Sequence, residues 1–431
     1  MSAELPGTDP APTGPVRRGR ADAPPAVELY RSVPRYVAAR ALSGRLPSVA
    51  AGSAAPLRLV SRRPRPTPPG WARVAPRLSG ICGSDLATVT GRSSFYFSSL
   101  VSMPFVPGHE IVGDLLDDVD TPRGRLAAGT RVVLAPVLNC AARGLQPCAG
   151  CSADRPTRCD NVTSGHLAPG LQTGYCADTG GGWSAELRAH GSQLFAVPDD
   201  VPDEVAVLVE PLACAVHAAR RAEVLPGERV LVVGAGAIGL LTLLALRALT
   251  PAAEVLVAAK HPKQQDLARR FGAGQLLPAG NVVGGVRRAT RAMQLQPERG
   301  PAYLLGGVDV TLECAGGGLD TALRVTRAGG RVVLSGLPTS SPDLTPLWFR
   351  ELSLVGAYAA GADDFTAALD LAAEPSTRAL LGELVGATYP LSRWRDALDH
   401  ALSAGRLGTG RVAFDLSTGT ARPAGLKGNS P

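Results

Sequence analysis

RVLVVGAGAIGLLTLLALRAL, residues 229–249, sets a five-residue strand-like run, a Gly-rich turn and an apolar helix end to end. Its glycines, Gly234, Gly236 and Gly239, spell G-x-G-x-x-G. That spacing is common in loops, but between a strand and a helix it marks a dinucleotide site. Gly234 permits the tight turn, Gly236 lets the backbone approach a pyrophosphate, and Gly239 lets helix and strand pack closely. Ala237 and Ile238 open the helix, whose N-terminal N–H groups and positive dipole end favour an anion.

Working outward, EVLVAA (254–259) is the second strand, and an acid at its end would accept from the ribose 2′-OH. Ala259 stands there instead, followed by Lys260 and His261. Nothing repels a 2′-phosphate and Lys260 offers a cation, so NADP(H) is expected over NAD(H). VDVTLECAGG (308–317) and GRVVLSGLP (330–338) are further strands, with helical segments between them. The alternation implies a parallel sheet covered on both faces, an α/β Rossmann domain spanning 205–355.

Upstream, residues 27–204 are broken by Gly and Pro into short β-like runs such as GHEIVGDLL and RVVLAPVL, which reads as a β-rich domain. Downstream, 356–416 holds two amphipathic stretches and a closing strand, GRVAFDL. Residues 1–26 and 417–431 carry no hydrophobic period and read as disordered tails.

The net charge of +7 is unevenly spread: residues 1–80 hold 13 Arg against 4 acids, leaving −2 for the remainder. RRPRPTPP (62–69) has no interleaved aromatics and prolines that forbid a helix, so nucleic acid is not an expected partner. The longest apolar stretch, 237–250, falls short of the ~20 residues of a membrane span. With no signal-peptide pattern either, a cytoplasmic protein is expected. Thiols stay reduced there, which turns a cysteine cluster toward metal rather than disulfides.

Two regions have the composition of metal sites. GICGSD (80–85) presents Cys82, and PGHEIVG (107–113) presents His109 beside Glu110. One thiolate, one imidazole and one carboxylate meet the needs of a catalytic zinc, with Asp85 placed to orient the imidazole. The second region, CAARGLQPCAGCSADRPTRC (140–159), holds four of the eight cysteines. SSFYFSS (93–99) lies between the first two motifs, where Phe95, Tyr96 and Phe97 either line a cleft or pack a core. GYCADTGGGW (174–183) forms a second wall or a plain turn.

The order GICGSDL, PGHEIVG, C-x2-C-x7-C, VEPLACAVHA, VGAGAIG resembles the zinc-dependent medium-chain alcohol dehydrogenase family, above all its polyol and threonine dehydrogenase-like branch. The likeness spans residues 27–416. It implies a GroES-like catalytic domain joined to the Rossmann domain. It also implies a catalytic zinc at Cys82, His109 and Glu110, with Glu210 as alternate ligand or water-mediated partner and Ser84 as proton-relay hydroxyl. Cys148, Cys151 and Cys159 match the last three ligands of a structural zinc lobe, but Leu145 stands where the family has its first. Either Cys140 takes that place across an expanded loop, AARGLQP, or the lobe holds no metal.

The expected activity is hydride transfer between a secondary alcohol, a polyol or amino alcohol, or its ketone and a nicotinamide cofactor. The partner is then a small-molecule alcohol or ketone, and the resemblance implies a homodimer or homotetramer built through the nucleotide domains. Two rivals differ in their requirements. A zinc-free quinone or enone reductase would not need Cys82, His109 and Glu110 together, and a non-catalytic nicotinamide-binding regulator would not need Ser84.

Overall fold

The computed structural model describes residues 23–62, 66–336, 341–408 and 410–417. Arg229–Val233 is a strand, Gly236 caps the helix that follows, and that helix runs Ala237–Leu249. Gly234 takes φ +101°, a Cβ on Gly239 would lie 1.9 Å from the Gly234 carbonyl, and a Cβ on Gly236 would meet nothing within 4 Å. The first and third glycines are therefore demanded by the turn, while the second leaves room above it. Leu240, Leu241, Leu243 and Leu246 are all buried, since the helix is covered on one side by the sheet and on another by the helix Val209–Arg221.

The nucleotide sheet has six parallel strands. Their edge-to-edge order is Gln275–Pro278, Glu254–Ala259, Arg229–Val233, Val308–Glu313, Thr326–Leu334 and Ser353–Gly356. In chain order that is third, second, first, fourth, fifth, sixth, the doubly wound arrangement that binds ligands at the strand ends where the order reverses.

The second large sheet has seven strands, with Trp71–Gly80 at its centre. Ile111–Leu115 lies antiparallel on one side of it and Arg411–Asp415 on the other, and Val385–Pro390 runs parallel to the latter. The chain thus leaves the β-rich domain, builds the nucleotide domain, and returns to finish the first sheet. Phe414 on the returning strand packs edge-on against Trp183, ring centroids 5.3 Å apart, and both are fully buried. Burying an aromatic of this kind contributes about 1.5–3 kcal/mol.

Two boundaries differ from expectation. The described residues reach into the expected tail: Pro25–Leu29 is a strand paired to Leu57–Ser61, and Ala26 is 1% exposed. The helix Ala362–Ala373 packs between the two parts of the chain: Phe365 stacks on Phe195 (5.2 Å) and shares a core with Val209 and Leu212, and Val385–Pro390 then rejoins the first sheet. Of the C-terminal tail, Ser417 is described and donates to Asp415 (2.9 Å). Residues 1–22 and 418–431 lie outside the described residues.

A helical insertion was not anticipated. Between the first two strands stand Val33–Leu42, Pro47–Val49 and the π-helical turn Ala50–Ala54. Val33 and Val37 face solvent and only Ala39 of the first helix is buried, so the stretch carries little of the apolar stripe by which helices are recognised.

Candidate active site

Cys82 ends the turn after the central strand and is the N-cap of the helix Gly83–Val89. Its N–H donates to Asp85 Oδ2 (3.0 Å), which fixes a wholly buried carboxylate one turn into the helix. His109 and Glu110 immediately precede the neighbouring strand Ile111–Leu115. Two adjacent strand ends therefore deliver the three side chains together, and one ligand atom from each of Cys82, His109 and Glu110 lies within 4.8 Å of the others.

His109 Nδ1 is 3.5 Å from Asp85 Oδ1, and that nitrogen is buried without a hydrogen-bond partner. Burial works against a charged imidazole, but Asp85 and then Cys82 hold the His109 pKa well above its ordinary value. Burial likewise pushes the Cys82 thiol up, yet the hydrogen bond and charge of His109, with Arg411 behind them, bring it down to about 6. The thiolate is the form in which cysteine binds a metal, and the proton this environment holds on His109 is one that a bound metal would displace.

Tyr175, from the second Gly-rich wall, stacks on His109 (6.0 Å, 48°) and on Phe105 (5.3 Å). Its hydroxyl is 3.5 Å from Asp85 Oδ1 and 3.3 Å from Thr88 Oγ1. The Ser84 hydroxyl approaches Tyr175 without a well-formed hydrogen bond and is buried. Glu210 stands outside the mutual 4.8 Å set; it accepts the Cys214 thiol proton (3.4 Å), and burial raises its pKa to about 7. The Tyr358 hydroxyl crosses from the nucleotide side to Gln172 Oε1 (3.3 Å).

Glu110 has a partner the sequence did not disclose. Arg411 Nε donates to Glu110 Oε2 (2.7 Å), Arg411 Nη2 meets Oε1, and Arg411 carries 8% side-chain exposure. Arg411 also lines a cleft of ≈ 830 Å³ with Gly83 and Leu86 on one wall and Ala235, Gly236 and Ala237 on the other. Lys263 and Gln264 continue the lining, whereas Lys260 is exposed and takes no part in it. Lys260 falls in the turn between the second strand and the His261 N-cap, and the helix start carries Lys263 to the cleft instead.

Phe95 and Tyr96 neither line the cleft nor enter a core. They are 66% and 79% exposed, and Phe95 stacks on Tyr36 of the helical insertion (5.7 Å). The remaining histidines have packing partners: His217 meets Asp364 (3.0 Å), His400 meets Tyr389 (3.0 Å), and His166 and His190 meet Trp71 edge-on.

In the lobe, the four thiols of Cys140, Cys148, Cys151 and Cys159 lie within 4.8 Å of one another. Cys140, five residues before the family's position, does join the other three. Its sulfur accepts the Cys148 N–H (3.3 Å) and the Asn161 amide (3.2 Å). Four sulfurs in mutual reach match a closed tetrahedral zinc site, and the S, N and O donors of the first cluster match an open one. The bare space over Gly236 beside Arg411 fits a dinucleotide pyrophosphate.

Residues 68–199 match the alcohol dehydrogenase GroES-like domain, and residues 237–374 match the zinc-binding dehydrogenase domain. The chain is 32% identical over 283 residues to an L-idonate 5-dehydrogenase of Vitis vinifera, covering 65% of this chain and 70% of that protein. It is 31% identical over 296 residues to a sorbitol dehydrogenase of Arabidopsis thaliana, covering 67% and 74%. Among solved folds, a zinc-binding dehydrogenase of Sinorhizobium meliloti with bound NADP superposes at TM-score 0.63 and 24% identity, over 91% of this chain and 99% of that one. Fold and site together define a two-domain zinc oxidoreductase. The chain belongs to the zinc-dependent medium-chain alcohol dehydrogenase family, in its polyol dehydrogenase branch. It is an enzyme that moves a hydride between an alcohol carbon and a nicotinamide cofactor, which sets aside both the zinc-free reductase and the silent regulator.

Proposed function

We propose that this dehydrogenase oxidises a secondary hydroxyl of a polyol to a ketone, or runs the reverse reduction, with NADP(H) preferred. The observation that carries the reading is the meeting of Cys82, His109 and Glu110 behind Arg411, which pairs with Glu110 and lines a cleft shared with the Gly236 turn. Polyol relatives support the substrate class, and the Tyr358 hydroxyl and Gln172 amide supply polar groups that a neighbouring substrate hydroxyl can engage.

Cys82, His109 and Glu110 would hold the zinc. When bound, that ion polarises the alcohol oxygen and lowers its pKa, while nicotinamide supplies the hydride acceptor. Asp85 fixes the His109 ring. Ser84 would relay the alcohol proton, taking it while giving up its own toward the cofactor ribose and solvent, and Arg411 sets a positive charge beside the pyrophosphate. Cys140, Cys148, Cys151 and Cys159 would hold a second, structural zinc. Such thiol sites persist in reducing surroundings, which supports a cytoplasmic location.

The preference for NADP(H) rests on Ala259 at the end of the second strand and Lys263 on the cleft wall. A homo-oligomer is supported by the bare edge strand Ser353–Gly356, where Leu354 is exposed alongside Trp348 (80%) and Phe349 (64%). The test is nicotinamide absorbance across xylitol, sorbitol, 2,3-butanediol and L-idonate, each with NAD and NADP, before and after zinc removal. Turnover that survives complete zinc removal would overturn the reading.

A further inference from the structure

Arg143 sits in the loop between Cys140 and Cys148, and its side chain is wholly buried. Its guanidinium hydrogen bonds all end on neutral carbonyls. Nε donates to Leu138 O (3.1 Å), Nη1 to Ser164 O (2.9 Å) and Leu167 O (3.3 Å), and Nη2 to Gly170 O (2.6 Å). Longer contacts of 3.5 Å reach Ala168 O from both Nη atoms. The donors are satisfied, but the charge is not met by any of these partners. A guanidinium cannot give up its proton in a protein, and a buried charge without an opposite one is strongly disfavoured.

Burial works against the Arg143 charge, and the groups that offset it are Cys176, Cys159, Cys140 and Asp178. The carboxylate among them is Asp178, and as thiols the cysteines are neutral. Four thiolates around one divalent ion carry a net charge of two minus, and such a centre requires its sulfurs deprotonated. Arg143 is also bound to the centre by the backbone: its N–H donates to Cys140 O (3.1 Å), as does that of Leu145 (2.9 Å). The residues that lengthen the loop therefore bring a buried cation between the first two of these cysteines in the chain, with its backbone bonded to Cys140.

We propose that Arg143 is the internal counter-ion of the four-cysteine metal centre, a positioning residue that holds the metal by balancing the charge of its thiolates. The proposal rests on the reading of that lobe as a metal site. Its carbonyl partners, from Ser164 to Gly170, lie just ahead of Gln172 and Tyr175, so the same side chain ties the lobe to the wall of the active site.

The test uses the full-length enzyme loaded with Co²⁺, whose thiolate charge-transfer absorption grows with the number of sulfur ligands and so reports chiefly the four-sulfur site, four thiolates against Cys82 alone at the other, and follows its loss to a chelator. Arg143→Met is expected to release that cobalt about 10–100-fold faster than the wild type, the range for loss of a partner outside the ligand shell. Arg143→Lys, which keeps the charge and loses the fork, should fall between them. Leu138→Ala loosens the same small core without altering charge and should release cobalt more slowly than either Arg143 variant. Equal rates for Arg143→Lys and Leu138→Ala overturn the proposal, and that comparison holds even if Arg143→Met does not fold. Wild-type rates in the Arg143 variants overturn it as well. A wild-type chain that shows no thiolate–cobalt band overturns the metal reading of the lobe, and the proposal with it.

Discussion

Glu110 and Arg411, 301 residues apart in the chain, form a buried ion pair at the seam between the metal cluster and the cofactor cleft. Each side chain is thereby shared between two duties, one toward the cluster and one toward its partner. Arg411→Met leaves a carboxylate buried without its cation. The expected cost is about 3–5 kcal/mol of stability, with cofactor affinity weakened at least about tenfold. Urea unfolding and a cofactor fluorescence titration measure the two effects; a variant as stable as the wild type would show that the pair is incidental.

Cys82→Ala removes the thiolate at the centre of the cluster. Turnover should fall at least about a thousandfold, ~4 kcal/mol of barrier, and metal content should drop by one ion per chain. Elemental analysis beside steady-state kinetics decides the matter, and full turnover in this variant would refute the site.

Ala259→Asp restores an acid where a ribose 2′-OH would be met. The ratio of kcat/KM for NADP to that for NAD should fall at least about tenfold, ~1.4 kcal/mol. Lys263→Ala should weaken NADP and leave NAD nearly untouched. If neither variant moves the ratio, the cofactor preference is set elsewhere.

Asp364 links the helix Ala362–Ala373 to Val209–Arg221 through His217 (3.0 Å) and Arg220 (2.6 Å). Burial pushes its carboxyl up, but His217, the Gly361 N–H and Arg220 outweigh burial and hold it below the ordinary carboxylate value. A carboxyl depressed in the folded state stabilises above its unfolded pKa of ~3.9, and that stability is lost as pH falls through the lower folded value. Asp364→Asn should therefore cost about 1–3 kcal/mol at pH 7 and flatten the loss of stability as pH falls below about 4. Urea midpoints measured down that range give the answer; parallel curves for the two proteins would contradict the assignment.

Leu354→Arg combined with Trp348→Ser places charge and polarity on the bare edge of the nucleotide sheet. Light scattering should show a shift to monomers with the far-ultraviolet spectrum preserved. An unchanged mass would move the interface to another face.

The architecture was legible because its signals are local. The strand, turn and helix at 229–249 carry the nucleotide fold in their own spacing, and Cys82 and His109 lie in short motifs beside it. Arg411 was not legible: it opens an unremarkable strand, and only the pairing of that strand with Trp71–Gly80 brings it to Glu110. Lys260 and Lys263 show the same limit on a smaller scale, since three residues of turn decide which cation meets the cleft. The insertion 33–54 escaped because its apolar residues face outward. Cys140 was ambiguous because ligand spacing in a loop is elastic, and only the fold brings its sulfur within 4.8 Å of the other three.

The strand Arg411–Asp415 lies inside the catalytic sheet, between Val385–Pro390 and Trp71–Gly80. On the ribosome, Glu110 must therefore wait roughly 15–60 s for Arg411, at 5–20 residues per second across the 301 intervening positions. The half of the enzyme translated first is the last to close, and a nascent chain stopped short of residue 411 would expose a naked sheet edge to any chaperone or neighbouring strand within reach.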